Sequence, residues 1–274
     1  MGPSLGARCE ATRGESSPCF PNWRCAQLPN RVLFVSLTNG DAGHHDMGGG
    51  ALARRRRKES ALSARRGGVE TLILDQHDGE LMPTLDVRHE LIRIIRSHDA
   101  EIVISHHPAD YHPDHRYTST LVQDASFMVM VPNCCPEVEA LRSNPCFFYL
   151  MHARPSALAL TPDIAVAIDD VMDVKYDMLD AMESQMYEWL PWLEGQLDQV
   201  PSSREARKEW LRTNWDRTFT KHAEINRDLL AKWYGPDQAR KTRYVETFET
   251  CPYGRQPSDQ ELRKLFPFFP EMAR

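Results

Sequence analysis

Short apolar runs alternate with helical segments through the first half of this 274-residue chain. Runs typical of buried strands and patterns typical of helices follow one another in the order strand 31–38, helix 51–66, strand 69–74, helix 85–97, strand 101–105, helix 117–129 and strand 145–150. Strands joined through crossover helices lie parallel, with right-handed connections. The alternation therefore predicts an α/β fold, a Rossmann-like and mostly parallel sheet flanked by helices.

The two ends of the chain differ from this middle region. Residues 1–30 are rich in Gly, Ser, Pro and Arg and show neither alternation nor a helical period, so we expect a poorly ordered N-terminal segment. Residues 169–234 are mainly helical in pattern and dense in tryptophan, which predicts a helical C-terminal extension packed on the sheet. We therefore predict one domain over residues 31–274.

Charge and cysteine content exclude several classes of protein. A net charge of −6 argues against nucleic-acid binding, and no apolar stretch is long enough for a membrane span. Seven cysteines without an apolar leader predict reduced thiols and a cytoplasmic protein. The vicinal pair Cys134-Cys135 is expected in a loop and unbridged. Composition leaves a homo-oligomer open.

The tetrapeptide His112-Pro-Asp-His115 follows the strand run 101–105. Parallel sheets bind ligands beyond the carboxyl ends of their strands, so these imidazoles are placed where such a sheet keeps its chemistry. If a helix starts near Asp114, His112 and His115 lie one turn apart and face one cavity. They would then bind a metal or act on a substrate. The alternative is a helix entry capped by Asp114, with incidental histidines.

Carboxylates and arginines accompany the histidines at the same predicted edge. Asp41, Asp78 and Asp110 follow strands, where carboxylates orient imidazoles or act as bases, although each also suits a turn. Residues 54–57 are four arginines at the start of a predicted helix, where the helix dipole disfavours cations. Either an anionic or polyhydroxyl ligand offsets that cost, or the arginines form a solvated face. No GxSxG or GxGxxG motif is present.

Four segments together resemble the PIG-L/LmbE superfamily of zinc-dependent N-acetylglucosamine deacetylases over roughly residues 31–270. They are Leu37-Thr-Asn-Gly-Asp-Ala-Gly43, Arg56-x-x-Glu59, Asp78-Gly-Glu-Leu81 and Asp110-Tyr-His-Pro-Asp-His-Arg116. The resemblance implies a Rossmann-like fold in which zinc activates water to attack the acetamide of a small-molecule amino sugar.

The resemblance also implies roles for individual residues. His115 would be a zinc ligand, and His112 would stabilise the oxyanion or protonate the leaving amine. Asp114 would orient His112, while Arg56 and Asp78 would bind the substrate.

The chain departs from the family pattern at two places. The N-terminal HPDD motif, which supplies the other zinc ligands and the general base, is absent, and residues 1–30 contain no histidine. Met182 stands where relatives often carry His. We therefore expect a truncated N-terminus that lacks the first strand-helix unit, with marginal stability and an impaired zinc-dependent deacetylase. The alternative is a non-catalytic sugar-binding or scaffolding relative without metal, so whether the chain is an enzyme stays open.

Overall fold

The computed structural model describes residues 6–10, 31–150 and 161–270, the first of these ranges for its backbone alone. Seven strands form one sheet: β1 Gly6–Glu10, β2 Val32–Thr38, β3 Glu70–Gln76, β4 Ile102–His106, β5 Cys146–Leu150, β6 Ile164–Ala167 and β7 Val245–Gly254. Their spatial order is β3-β2-β1-β4-β5-β7-β6. The first five strands pair in parallel, and β7 runs antiparallel between β5 and β6. The predicted Rossmann-like, mostly parallel sheet is confirmed.

Helices connect the strands and cover the sheet. They are α1 Gly49–Gly67, α2 Leu85–Ser97, α3 Pro113–Met128, α4 Met172–Asp180, α5 Leu190–Leu193, α6 Arg204–Ile225, α7 Arg227–Tyr234, α8 Pro236–Lys241 and α9 Asp259–Leu265. A π-helix spans Ser184–Trp189, immediately before α5. The helical region after residue 169 is confirmed, while strands β6 and β7 were not predicted. No helix in the described ranges is long and apolar enough to cross a membrane.

Strand β1 corrects the expectation for the N-terminal segment. Residues 1–30 were predicted to lack order and a central strand, yet Gly6–Glu10 lies mid-sheet with Cys9 opposite Val35 on β2 and Ser105 on β4. Five residues are too few to show a periodic pattern. Two parallel neighbours, however, present amide and carbonyl groups that require partners, and these favour a strand there. The predictions for residues 1–5 and 11–30 lie outside the described residues.

Two apolar cores lie on the two faces of the sheet. On one face, Val35 and Val103 pack with Leu91 of α2 and Leu121 of α3. On the other, alternate strand residues such as Ile104 pack with the C-terminal helices. Trp233 of α7 is 1% exposed, and its Nε1 donates to Asp163 O at 2.9 Å. Packing from both sides fixes the carboxyl ends of β2, β3 and β4, which carry the candidate site.

Candidate active site

Two histidines and one aspartate meet where β4 ends and α3 begins. His106 is the last residue of β4, and His115 lies in the first turn of α3. With Asp110 from the intervening loop, their ligand atoms all lie within 4.8 Å of one another, and all three residues are buried. The His106 and His115 rings are parallel, with centroids 3.9 Å apart. Two imidazoles and a carboxylate are a donor set that suits zinc.

Asp110 sets the orientation of this cluster. Its Oδ1 lies 3.0 Å from His115 Nδ1, and its Oδ2 lies 4.0 Å from His106 Nδ1. The same Oδ1 accepts a hydrogen bond from the His112 backbone N–H at 3.0 Å, which fixes the entry to α3. One carboxylate thus orients His115 and shapes the turn that precedes the helix.

His112 is the N-cap of α3, with Pro113 at the first helical position. Its Nδ1 accepts a hydrogen bond from Asp114 N at 3.3 Å, so the proton of the neutral ring lies on Nε2. Burial, and next the neighbouring His115, lower the pKa of His112 to about 4. His112 is therefore a neutral hydrogen-bond donor near pH 7. The alternative in which Asp114 caps the helix is wrong, because His112 takes that place.

Asp114 instead ties α3 to the loop after β3. Its two carboxylate oxygens accept hydrogen bonds from Gly79 N at 2.6 Å and Leu81 N at 3.2 Å. The residue is 0% exposed, and burial raises its pKa to about 6 despite those amide donors. Its own backbone N–H binds His112, so Asp114 connects that loop to the His112 ring.

Arg56 lies beneath the loop that follows β2. Its side chain is fully buried, and Nη1 donates to Gly40 O at 3.0 Å while Nη2 donates to Gly43 O and, at 2.8 Å, to Gln185 Oε1. Asp78 Oδ2 lies 3.8 Å from Nη1. The other arginines of residues 54–57 differ, since Arg55 is half-buried and pairs with Glu188 and Glu59, while Arg54 and Arg57 are exposed. The structure therefore separates one buried arginine from its neighbours.

Asp78 and Asp41 form further hydrogen bonds that fix the loop after β2. Asp78 Oδ2 accepts from Gly43 N at 3.0 Å, and Asp78 N donates to Asp41 Oδ1 at 3.0 Å. A Cβ on Gly43 would lie 3.0 Å from Arg56 Nη1 and 3.1 Å from Asp78 Oδ2, so the close approach favours glycine. Asp41 Oδ2 also contacts His77 Nδ1 at 2.7 Å, which raises the pKa of His77. Asp41, Asp78 and Arg56 thus shape one loop.

The structure shows which histidines near this edge of the sheet belong to the cluster and which do not. Asp110 was predicted only as one of several carboxylates at this edge, and His106 was not singled out, yet both lie beside His115. Their position at the end of the same strand run as the HPDH tetrapeptide was the available signal. His107 turns away, with its ring edge-on to Tyr149 and Nε2 3.7 Å from Glu249. His152 lies outside the described residues.

Comparison with known proteins shows which proteins this chain resembles. Residues 24–126 match the family model PIG-L, described as GlcNAc-PI de-N-acetylase. Diacetylchitobiose deacetylase of Thermococcus kodakarensis is 32% identical over 178 residues, which are 59% of this chain and 64% of that protein. The matched region thus spans less than two thirds of that relative's length.

Two solved structures share the fold. N,N'-diacetylchitobiose deacetylase of Pyrococcus horikoshii has a TM-score of 0.63 and 21% identity, covering 90% of this chain and 84% of that one. GalB, the 4-carboxy-2-hydroxymuconate hydratase of Pseudomonas putida, has a TM-score of 0.68 and 18% identity, covering 93% and 98%. Such low identities establish the fold, which hosts more than one reaction. The family-model match over residues 24–126 and the curated relative show that this chain is similar to PIG-L deacetylases.

Proposed function

We propose that this protein hydrolyses the acetamide of an N-acetylated amino sugar or glycoconjugate in a zinc-dependent reaction. The observation that carries the proposal is the buried cluster of His106, Asp110 and His115 at the carboxyl edge of the sheet. The family match and the curated relative, a diacetylchitobiose deacetylase, support the choice of substrate class.

His106, Asp110 and His115 would hold the ion. Catalytic zinc sites have three protein ligands and an open position, and this set offers three. Because His115 Nδ1 contacts Asp110, Nε2 would be the nitrogen of His115 that is available to a metal ion. Bound zinc supplies a Lewis acid and lowers the pKa of water to near neutrality.

His112 would stabilise the developing negative charge on the acetamide oxygen. A pKa of about 4 leaves its ring neutral at working pH, and the bond from Asp114 N to Nδ1 leaves the proton on Nε2. A neutral Nε2–H donates a hydrogen bond to an oxyanion, whereas proton transfer to the leaving amine would first require a charged ring. Of the two roles implied by the family, this favours oxyanion stabilisation.

Asp114, Arg56 and Asp78 would act by positioning. Asp114 holds His112 through its backbone N–H and holds the loop after β3 through its carboxylate. Arg56 and Asp78 form hydrogen bonds with the backbone of the Gly40–Gly43 loop. We propose that they support substrate binding by fixing the conformation of this loop.

We expect catalysis to be weaker than in relatives that carry the HPDD motif. Met182, at the second departure from the family pattern, is 2% exposed in an apolar core and offers no strong ligand. A non-catalytic sugar-binding protein remains the alternative from a different class.

The test compares zinc content and deacetylation in the full chain and two matched variants. Purified protein is supplied with zinc and assayed for free amine released from N,N'-diacetylchitobiose and N-acetylglucosaminides. His115→Ala should lose activity and the zinc that this cluster holds. His107→Ala removes a buried histidine of the same edge that faces Tyr149 and should retain both. Zinc binding by the full chain without any amine release would support the non-catalytic alternative, and unchanged zinc content in His115→Ala would reject the ligand role.

A further inference from the structure

We propose that His89, Cys134 and Cys135 form a second metal site, which binds a thiophilic divalent ion such as Zn²⁺. Their ligand atoms all lie within 4.8 Å of one another, as in the first cluster. His89 lies on α2, while the cysteines follow the C-terminal end of α3. His115 lies in the first turn of α3, whereas Cys134 and Cys135 come after its last residue, Met128. The two clusters therefore share no residue and lie near opposite ends of this helix.

The separation of the two sulfurs suits chelation. Cys134 Sγ and Cys135 Sγ are 3.9 Å apart. Two thiolates that each lie about 2.3 Å from one tetrahedral zinc ion are roughly 3.8 Å from each other. A disulfide would require about 2.05 Å. The sulfurs therefore already have the spacing that a shared ion needs.

A buried arginine holds the cysteine loop in place. The Arg96 side chain of α2 donates to the carbonyl oxygens of Met128, Val129, Val131, Cys134, Cys135 and Val138 at 2.6–3.0 Å. Arg96 is 4% exposed, so these bonds form in a low-dielectric environment where they are strong. The loop is thus organised before any metal binds.

Backbone geometry brings both sulfurs towards α2. Cys135 has a φ angle of 48°, a left-handed backbone conformation that residues other than glycine seldom adopt. Its Sγ donates to His89 O at 3.7 Å, so the thiol lies against the helix that carries the imidazole. Cys135 is buried, while His89 and Cys134 are half-buried. A two-thiolate, one-imidazole site therefore keeps a solvent-facing side for a fourth ligand.

The chemistry of binding is a simple exchange. Each thiol loses its proton to solvent as its sulfur binds the ion, and neutral His89 binds through a ring nitrogen. No oxidant or reductant is needed. The composition of two cysteines and one histidine is one that zinc accepts with an open fourth position.

The experiment uses the reduced, chelator-treated full chain carrying His115→Ala, which removes a ligand of the first cluster. The protein is titrated with Co²⁺ alone, and the near-ultraviolet thiolate-to-cobalt charge-transfer band is recorded. Zinc per chain is measured after equilibrium dialysis. We expect the charge-transfer band to appear in this protein and to disappear when Zn²⁺ displaces Co²⁺. In the C134S/C135S variant, we expect no band and about one fewer zinc ion per chain.

Two further variants keep the result interpretable. C146S/C251S replaces the two other described free cysteines, which are buried, and should keep the band. His89→Gln should weaken cobalt binding at least about tenfold while circular dichroism stays unchanged. No band in the reduced parent, or an equal band in C134S/C135S, would overturn the proposal.

Discussion

At the residue scale, the proposed catalytic cluster depends on how closely the fold brings its side chains together. The His106 and His115 rings stack in parallel with centroids 3.9 Å apart. Asp110 contacts one ring directly and lies near the other, so it favours the orientation in which ring nitrogens and a carboxylate oxygen converge. Neutral rings and an ionised carboxylate are the forms that bind metal.

His112 gives a prediction about turnover that is separable from metal binding. His112→Asn keeps an N-cap side chain, since asparagine caps helices well, but removes the Nε2–H donor. We expect zinc content to be unchanged and kcat to fall by about 10²–10³, the usual effect of losing one oxyanion donor. Steady-state kinetics with elemental analysis measures both. Loss of zinc, or turnover equal to that of the parent, would contradict the role.

At the scale of elements, helix α2 links the proposed second site to the N-terminal half of the sheet. Thr84 caps its start, Arg96 holds the cysteine loop, and His98 ends it. His98 is 8% exposed, with Nε2 3.3 Å from Arg31 O, and burial lowers its pKa. The neutral imidazole of His98, at the end of α2, therefore lies against the backbone of Arg31, the residue before β2.

His98 predicts a pH dependence of stability. Because its folded pKa is below the unfolded value of about 6.5, the unfolded chain binds the proton first as the pH falls. The free energy of unfolding should therefore be fully maintained above about pH 6.5 and decrease below it. His98→Gln should reduce this decrease. Urea unfolding at pH 8 and pH 5.5 checks the difference between parent and variant, and identical pH slopes would contradict it.

At the scale of the whole molecule, the sheet depends on a strand from the N-terminal segment. In the order β3-β2-β1-β4-β5-β7-β6, strand β1 joins the β2-β3 pair to the other four strands. Without it, β2 and β4 would each present an unpaired edge. The structure therefore contains the central strand that was expected to be missing, and the contribution of this strand to stability can be tested.

The test substitutes proline within β1. Arg8→Pro removes a backbone N–H from a strand that is paired on both sides, so we expect a loss of about 1–3 kcal/mol in the free energy of unfolding, the cost of a buried acceptor without its hydrogen bond. Arg8→Ala keeps the N–H and is the matched control. Urea denaturation compares the two variants. Equal stability of the proline and alanine variants would show that β1 is not needed between β2 and β4.

A buried ion pair joins the helical layer to the sheet. Lys175 Nζ on α4 lies 3.1 Å from Glu246 Oε1 on β7, with side chains 2% and 1% exposed. Lys175→Met should destabilise the protein by about 3–5 kcal/mol, because it removes the cation from a buried ion pair. Adding Glu246→Leu should recover much of that loss. A double-mutant cycle measures the coupling, and strictly additive effects would contradict it.

The alternation of strands and helices and the location of the HPDH tetrapeptide could be predicted from local patterns in the chain. These features are local, since the periodicity of buried positions and the preference for proline at a helix start are encoded within a few residues. Helix α3 begins at Pro113, earlier than the pattern at 117 predicted, because His112 caps it. The four segments that resembled the PIG-L family were equally legible in the chain.

Which residues come together in the site could not be predicted from these local patterns. The convergence of His106 and Asp110 on His115, the burial of Arg56 beneath the Gly40–Gly43 loop, and the position of β1 all depend on contacts between separate segments. The polar members of these sets carry no periodic signal, because what fixes them is a hydrogen-bond partner on another element. The hydrogen-bonding needs of neighbouring strands and loops therefore chose among residues that the sequence alone left equivalent.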